Sequence, residues 1–221
     1  MNNYIDLSHS IDRDTITYKG LPAPIICDYL SREDSKLRYE AGTTFQLGRI
    51  DMVGNTGTYI DCPFHRYVDG KDLASVALER FVDLPAIKIH VPFAQGIEID
   101  IHHFEGLTLK DKAVLIQTDW SKHWMTDLYY HDHPFVTARA AQYLLDQGVV
   151  LVGIDSHNID DSRGNARPVH SILLKHEILI VEHLCNLDLI KSESFLFSAV
   201  PPKIVGMGTF PVRAFATLSG L

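Results

Sequence analysis

A mixed α/β fold, rich in short strands and poor in helices, is what this chain predicts, on three observations. Short apolar runs of strand length recur, at residues 114–117, 149–154 and 178–181, of the kind buried on both faces of a sheet. One window carries a full helix signature: Thr137 stands as N-cap ahead of Ala140, Ala141, Leu144 and Leu145, and Gly148 closes the segment as its C-cap. No repeat, linker or low-complexity tract interrupts the 221 residues, so a single domain over 1–221 is expected.

Taken in order, residues 3–11 read as a short strand, and Lys19 to Pro24, with Gly20, Pro22 and Pro24, as a restricted turn. Residues 25–30 read as a strand, and the charged stretch 31–41 as a solvated loop or hairpin tip. Residues 43–53 alternate apolar and polar side chains, Phe45, Leu47 and Ile50 against Gln46, Gly48 and Arg49, as a half-buried strand does. That strand delivers the chain into Gly-Asn-Thr-Gly-Thr-Tyr-Ile-Asp-Cys-Pro-Phe-His at 54–65, too polar and turn-prone for an ordinary core element. Beyond it, Asp69-Gly70 marks a turn, 73–81 reads as a short amphipathic helix, 86–91 as a strand, and 101–104 is ambiguous. After the helix-turn-strand unit at 137–154, the polar run 155–168 reads as a long loop at a strand end. A short helix at 171–176 and strands at 178–181, 195–204 and 212–217 complete the chain, the second interrupted at its edge by Pro201-Pro202.

Composition bounds the partners. A formal net charge of -8 disfavours nucleic acid and anionic membranes, both of which want a basic face, and leaves a small-molecule substrate as the expected ligand. The first residues lack the basic and apolar regions of a secretory signal, and no apolar run approaches the ~20 residues of a membrane-spanning helix, so a cytoplasmic protein is expected. Cys27, Cys62 and Cys185, odd in number and widely spaced, fit neither a disulfide framework nor a four-cysteine zinc site. Twelve histidines are the one compositional hint of metal or acid-base chemistry.

Three polar clusters fall at strand ends, where sites collect on a rigid scaffold: Asn55 to His65, His157 to His170, and Glu182-His183. Carboxylates and histidines converging from separate segments suit a divalent metal that polarises a carbonyl and activates water. Residues 55–65 resemble the H-x-G-T-H-x-D-x-P-x-H motif of the cyclase family, which includes bacterial kynurenine formamidases and isatin hydrolases. Gly57, Thr58, Asp61, Pro63 and His65 match in register. Downstream, Gly153-Ile154-Asp155, Pro168-Val169-His170, Leu173-Leu174, Ile180-Val181-Glu182 and Asn186-Leu187-Asp188 are similar to the family's second signature, and Thr118-Asp119-Trp120 has a counterpart. The resemblance implies the swivelling β/β/α domain of that family, a homodimer or homotetramer, and an arylformamidase-like hydrolase that cuts a small amide or cyclic amide or ester with metal-activated water. It implies Asp61, His170 and Glu182 as metal ligands and His65 as the acid-base residue.

The resemblance also marks a departure, because the two metal-binding histidines of the first motif fall on Asn55 and Tyr59. An amide oxygen is a weaker, harder ligand than imidazole, and a phenol with a usual pKa of about 10 must lose its proton to bind well. Asp61, His170 and Glu182 remain to hold one Zn, Mn or Mg ion. Two other readings stay open here: a catalytically silent member that binds a ligand or partner, and a metal-independent enzyme built on Asp61, Tyr59 and His65. Cys62 reads as a small packed residue before a nucleophile, and Trp120, Trp124, Tyr129 and Tyr130 as core or interface before a substrate wall.

Overall fold

The computed structural model describes residues 3–218. Its strands are β1 (Asn3–Asp6), β2 (Ile25–Leu30), β3 (Leu47–Asp51), β4 (Tyr59–Asp61), β5 (Leu84–His90), β6 (Glu98–Ile99) and β7 (Ala113–Gln117). They continue with β8 (Phe135–Val136), β9 (Leu151–Ile154), β10 (Leu179–Glu182), β11 (Phe195–Ser198), β12 (Thr209–Pro211) and β13 (Phe215–Leu218). Three α-helices stand among the described residues, α1 (Arg32–Ser35), α2 (Ala138–Asp146) and α3 (Pro168–Lys175).

Nine strands form one sheet in the order β1-β13-β11-β5-β7-β9-β10-β4-β12. The four central strands, β5, β7, β9 and β10, run parallel, and antiparallel strands flank them on both sides. Alternation divides the apolar side chains between two cores. Leu115, Leu151 and Val181 face one, with Ile60 of β4 and Phe197 and Ala216 from the far end of the strand order. Residues from opposite ends of the sheet meet there because the sheet curls over that face. Val114, Ile116, Val152, Ile154 and Ile180 face the other, covered by Ala140, Ala141 and Leu144 of α2 and by Val169, Leu173 and Leu174 of α3.

The mixed fold with few helices is as expected. Helix α2 begins at its expected cap, the Thr137 hydroxyl accepting from Ala140 N–H, while its C-cap is Gln147 and Gly148 follows in the left-handed region at φ 73°. Helix α3 starts earlier than expected, with Pro168 in its first turn, where a missing N–H costs nothing.

Four readings need correction. Residues 59–61, read as part of a polar loop, form a strand buried at every position and paired with β10 and β12. Residues 43–53 give a strand only at Leu47–Asp51, and all five of its residues are exposed, not half-buried. It pairs with β2 alone, in a two-stranded arm. The helix expected at 73–81 is turns and one 3₁₀ turn at Leu78–Arg80, its apolar spacing explained by Leu73 and Phe81 entering the core from irregular backbone. Strand β12 was not anticipated at all. No helix among the described residues is long and apolar enough to cross a membrane.

Candidate active site

Strand register builds the site. In the antiparallel pair of β4 and β10, Tyr59 lies opposite Glu182, Ile60 opposite Val181 and Asp61 opposite Ile180. Side chains alternate along a strand, so Ile60 enters the curled core while Tyr59 and Asp61 point together to the face that α3 covers. On the other edge of β4, Thr209 of β12 lies opposite Asp61. Helix α3 brings His170 over the pair from its first turn. One cavity of about 270 Å³ is lined by Asn55, Tyr59, His65 and His170 among others, so the six motif positions converge, with Asp61 and Glu182 fully buried at its floor.

His170 is the centre of the charge arrangement. Its Nδ1–H donates to Asp160 Oδ2 at 2.6 Å, and its Nε2 lies 3.6 Å from Asp61 Oδ2 and 3.7 Å from Glu182 Oε1. Burial pushes the imidazole pKa down, but Asp160, Asp61 and Glu182 outweigh it and lift it to about 10. Asp160 does two jobs, since its carboxylate also accepts from the backbone N–H groups of Val169 at 2.8 Å and His170 at 3.0 Å. It caps α3 from a distance and fixes the ring that α3 carries.

The donor set suits a divalent cation. Asp61 Oδ2 is buried without a hydrogen-bond partner among the described residues, aimed at the space it shares with His170 Nε2 and Glu182 Oε1. A buried carboxylate oxygen without a hydrogen bond is costly, its one charged neighbour among the described residues being the His170 ring at 3.6 Å, and an imidazole beside carboxylates is a donor set for a divalent ion. The set whose ligand atoms all lie within 4.8 Å of one another is Asp61, His65 and His170, while Glu182 Oε1, which accepts from Ile159 N–H at 2.7 Å, reaches this set through His170 Nε2.

Tyr59, at the position of the motif's second histidine, has its hydroxyl engaged within the protein. Its hydroxyl donates to Glu182 Oε2, and the Tyr18 hydroxyl lies 2.6 Å from Tyr59 and 3.1 Å from the same carboxylate oxygen. Burial and the charge of Glu182 push both phenols well above their ordinary pKa, so they remain protonated donors. Asn158 Nδ2 donates to the Tyr18 hydroxyl at 3.0 Å and completes the group.

His65 sits on a 3₁₀ turn opened by Pro63. The Thr209 hydroxyl donates to Asp61 Oδ1 and lies 2.7 Å from His65 Nδ1. A hydroxyl has one proton, so with it given to Asp61 the Thr209 oxygen accepts from His65 Nδ1–H. That leaves Nε2 of a half-exposed ring with a free lone pair at the cavity. Gly208 permits the approach: a Cβ there would stand 2.3 Å from the His65 backbone nitrogen.

The neighbouring residues sort plainly. The Cys62 thiol is buried, and burial pushes its pKa up to about 11, which suits packing and not nucleophilic attack. Trp120 and Tyr129 are buried core residues away from the cavity lining, while His157 and His183 form an aromatic nest behind Tyr18. Asp160, Thr209 and Tyr18 escaped the sequence reading, and only Asp160, a carboxylate in the loop before a Pro-led helix, left a signal that could have raised it.

Comparison with known proteins places this geometry among relatives. The family model described as "Putative cyclase" matches residues 5–161. A kynurenine formamidase of Bacillus cereus is 29% identical over 216 residues, 96% of each chain. Among solved structures, a potential metal-dependent hydrolase with cyclase activity superposes with a TM-score of 0.81 at 24% identity over 100% of both chains. Isatin hydrolase A from Labrenzia aggregata, bound to benzyl benzoate, gives 0.83 at 22% identity over 99% of this chain and 94% of its own. These two likenesses bear on the fold.

Proposed function

The chain belongs to the cyclase family, and from that membership and the site geometry we propose that it is a metal-dependent, arylformamidase-like hydrolase of small amides. The observation that carries this reading is the buried Asp61 Oδ2, without a hydrogen bond among the described residues, converging with Glu182 Oε1 on His170 Nε2. Asp61, His170 and Glu182 would hold one divalent ion, Zn, Mn or Mg, with the two carboxylates leaning toward the harder ions. When bound, such an ion supplies Lewis acidity at a carbonyl oxygen and lowers the pKa of water.

The remaining work falls to the protein. Asp160 holds the His170 ring so that Nε2, and not Nδ1, faces the two carboxylates. Tyr59 and Tyr18 hold the second oxygen of Glu182 and keep water from that side. His65, with Nδ1–H committed to Thr209, takes a proton from the attacking water at Nε2 and returns it to the leaving nitrogen. The water oxygen ends on the carbonyl carbon, the C–N bond breaks, and a carboxylic acid and an amine leave.

The two-stranded arm of β2 and β3 supports a homo-oligomer as the working form. It presents Ile25 at 61% exposure, Tyr29 at 75% and Ile50 at 51%, apolar side chains gathered on one short hairpin. A second copy of the chain is the cover this reading assigns to it. Hydrolysis of N-formylkynurenine and formanilide, assayed before and after chelation and again with added Zn, Mn or Mg, tests the function. Turnover lost to chelator and restored by an ion supports it, and no turnover with any ion refutes it.

A further inference from the structure

The rim of the cavity carries two cations that the hydrolytic reading leaves unused. Arg66 follows His65 directly and Arg167 precedes α3, three residues before His170, and both line the cavity. Among the described residues neither forms an ion pair, and no carboxylate lines the cavity, Asp61 and Glu182 being fully buried beneath it. Both guanidinium groups are nevertheless held in place. Arg66 Nε donates to Ser171 Oγ at 3.2 Å, and its guanidinium sits 5.4 Å from the centre of the Tyr67 ring. Arg167 Nη1 donates to the carbonyl oxygens of Asp161 at 3.3 Å, Gly164 at 2.8 Å and Ala166 at 2.7 Å. The Ser171 hydroxyl donates in turn to the Arg167 carbonyl at 2.8 Å, so one side chain ties the two arginines to the same stretch of rim.

Every partner in that arrangement is neutral. The two charges are positioned without being neutralised, and both terminal nitrogens of Arg66, with Nε and Nη2 of Arg167, lack a protein acceptor among the described residues. Guanidinium presents its N–H groups as a planar fork matched to carboxylate, and the chain's overall charge of -8 gives no general reason to place two such groups here. We propose that Arg66 and Arg167 form an anion subsite that selects amide substrates bearing a carboxylate on the amine-side portion. The cavity, at about 270 Å³, suits a single ring carrying both groups. The choice of amide as the reacting group rests on the hydrolase reading; the subsite itself rests on the two arginines.

The test compares formanilide, which is neutral, with the 2-, 3- and 4-formamidobenzoates on wild type, Arg66→Gln and Arg167→Gln. Alongside, calorimetric titration with benzoate and benzamide reads binding without turnover. Wild type is expected to favour at least one formamidobenzoate over formanilide by about tenfold or more in kcat/KM, the scale of charge-assisted hydrogen bonding. Each substitution is expected to raise KM for that substrate about tenfold, with a several-fold smaller effect on formanilide. Arg213→Gln, an exposed arginine paired with Asp6 and absent from the cavity lining, serves as the control that moves neither. Benzoate binding that exceeds benzamide binding and depends on both arginines supports the subsite even if no amide is hydrolysed, in which case the hydrolase reading alone fails. Hydrolysis with no preference for the anionic substrates, or benzoate bound no better than benzamide, overturns the subsite and leaves the hydrolase reading intact.

Discussion

Replacing Asp160 by asparagine tests how far the site depends on a residue outside it. The Asp160 carboxylate receives three N–H groups, from Val169 N, His170 N and His170 Nδ1, on two oxygens. Asparagine offers one acceptor oxygen and one amino group, so in either orientation at least one N–H faces another donor. A buried donor left unpaired costs about 1–3 kcal/mol, and the bond to His170, worth about 1.5–3 kcal/mol to a charged acceptor, falls to the ~0.5–1.5 kcal/mol of a neutral one. Part of this falls on the start of α3 and lowers the melting temperature. The rest falls on the His170 ring, whose orientation and basicity the carboxylate supports, and partners of this kind change metal affinity or activity by about 10–100-fold. The assay is chelator competition for Zn or Mn on wild type and Asp160→Asn, at a temperature where circular dichroism shows both folded. Asp160→Asn binding the ion as tightly as wild type would refute the claim that Asp160 orients a metal ligand, whatever happened to stability.

Three further outcomes follow from the same geometry. Thr209→Val removes the hydroxyl between Asp61 and His65, and with it the control of the His65 tautomer; kcat is expected to fall at least about tenfold with KM little changed, and Thr209→Ser to restore it. Steady-state kinetics on formanilide with equal kcat for Thr209→Val and wild type would remove Thr209 from the account. In acid, His157 is the residue to watch: burial holds its pKa down at about 3 against an ordinary value near 6.5. The unfolded chain therefore takes up a proton there before the native one does, and stability falls as pH drops from about 6.5 to about 3, by on the order of 4–5 kcal/mol. Asp155, pushed up to about 7 by burial, works the other way across part of that window, so the diagnostic is the difference between variants. The acid unfolding midpoint of His157→Gln is expected below that of wild type in a fluorescence titration, and an unshifted midpoint would contradict this. Ile50→Glu, on the exposed face of the arm, is expected to leave the fold intact and to reduce the mass read by light scattering to that of a smaller assembly or a monomer. An unchanged mass would show that the arm is not where copies meet.

How much of this was legible in the sequence depends on how local the determining contacts are. Helix α2 could be read because Thr137 caps within three residues and Gly148 stops within the same turn chemistry. The buried strands β7, β9 and β10 could be read because their residues are apolar on both faces. Strand β4 could not: three residues long and ending on a carboxylate, it owes its existence to partners at 179–182 and 209–211. The alternation at 43–53 stops at Leu47, since Ile50 falls on the face opposite to it, and every residue of β3 is exposed. In the site, the six motif positions lie close together in sequence or follow recognisable signatures; Asn55, Tyr59, His65 and His170 line one cavity, and Asp61 and Glu182 are buried beneath it. Thr209 meets His65 across 144 residues and Tyr18 meets Tyr59 across 41, with nothing local to announce either contact. The arginines went unnoticed for a different reason, since an arginine in a polar loop is ordinarily a solvated one.

The central claim is that Asp61, His170 and Glu182 hold the ion while His65 moves the proton, although Asp61, His65 and His170 are also close enough to form a ligand set. Metal content of purified, reloaded wild type, His65→Ala and Glu182→Gln, measured by inductively coupled plasma mass spectrometry, separates the two. The account predicts about one ion per chain in wild type and in His65→Ala, and loss of the ion in Glu182→Gln. An ion lost with His65 and kept without Glu182, or wild type that binds none of Zn, Mn or Mg, would contradict it.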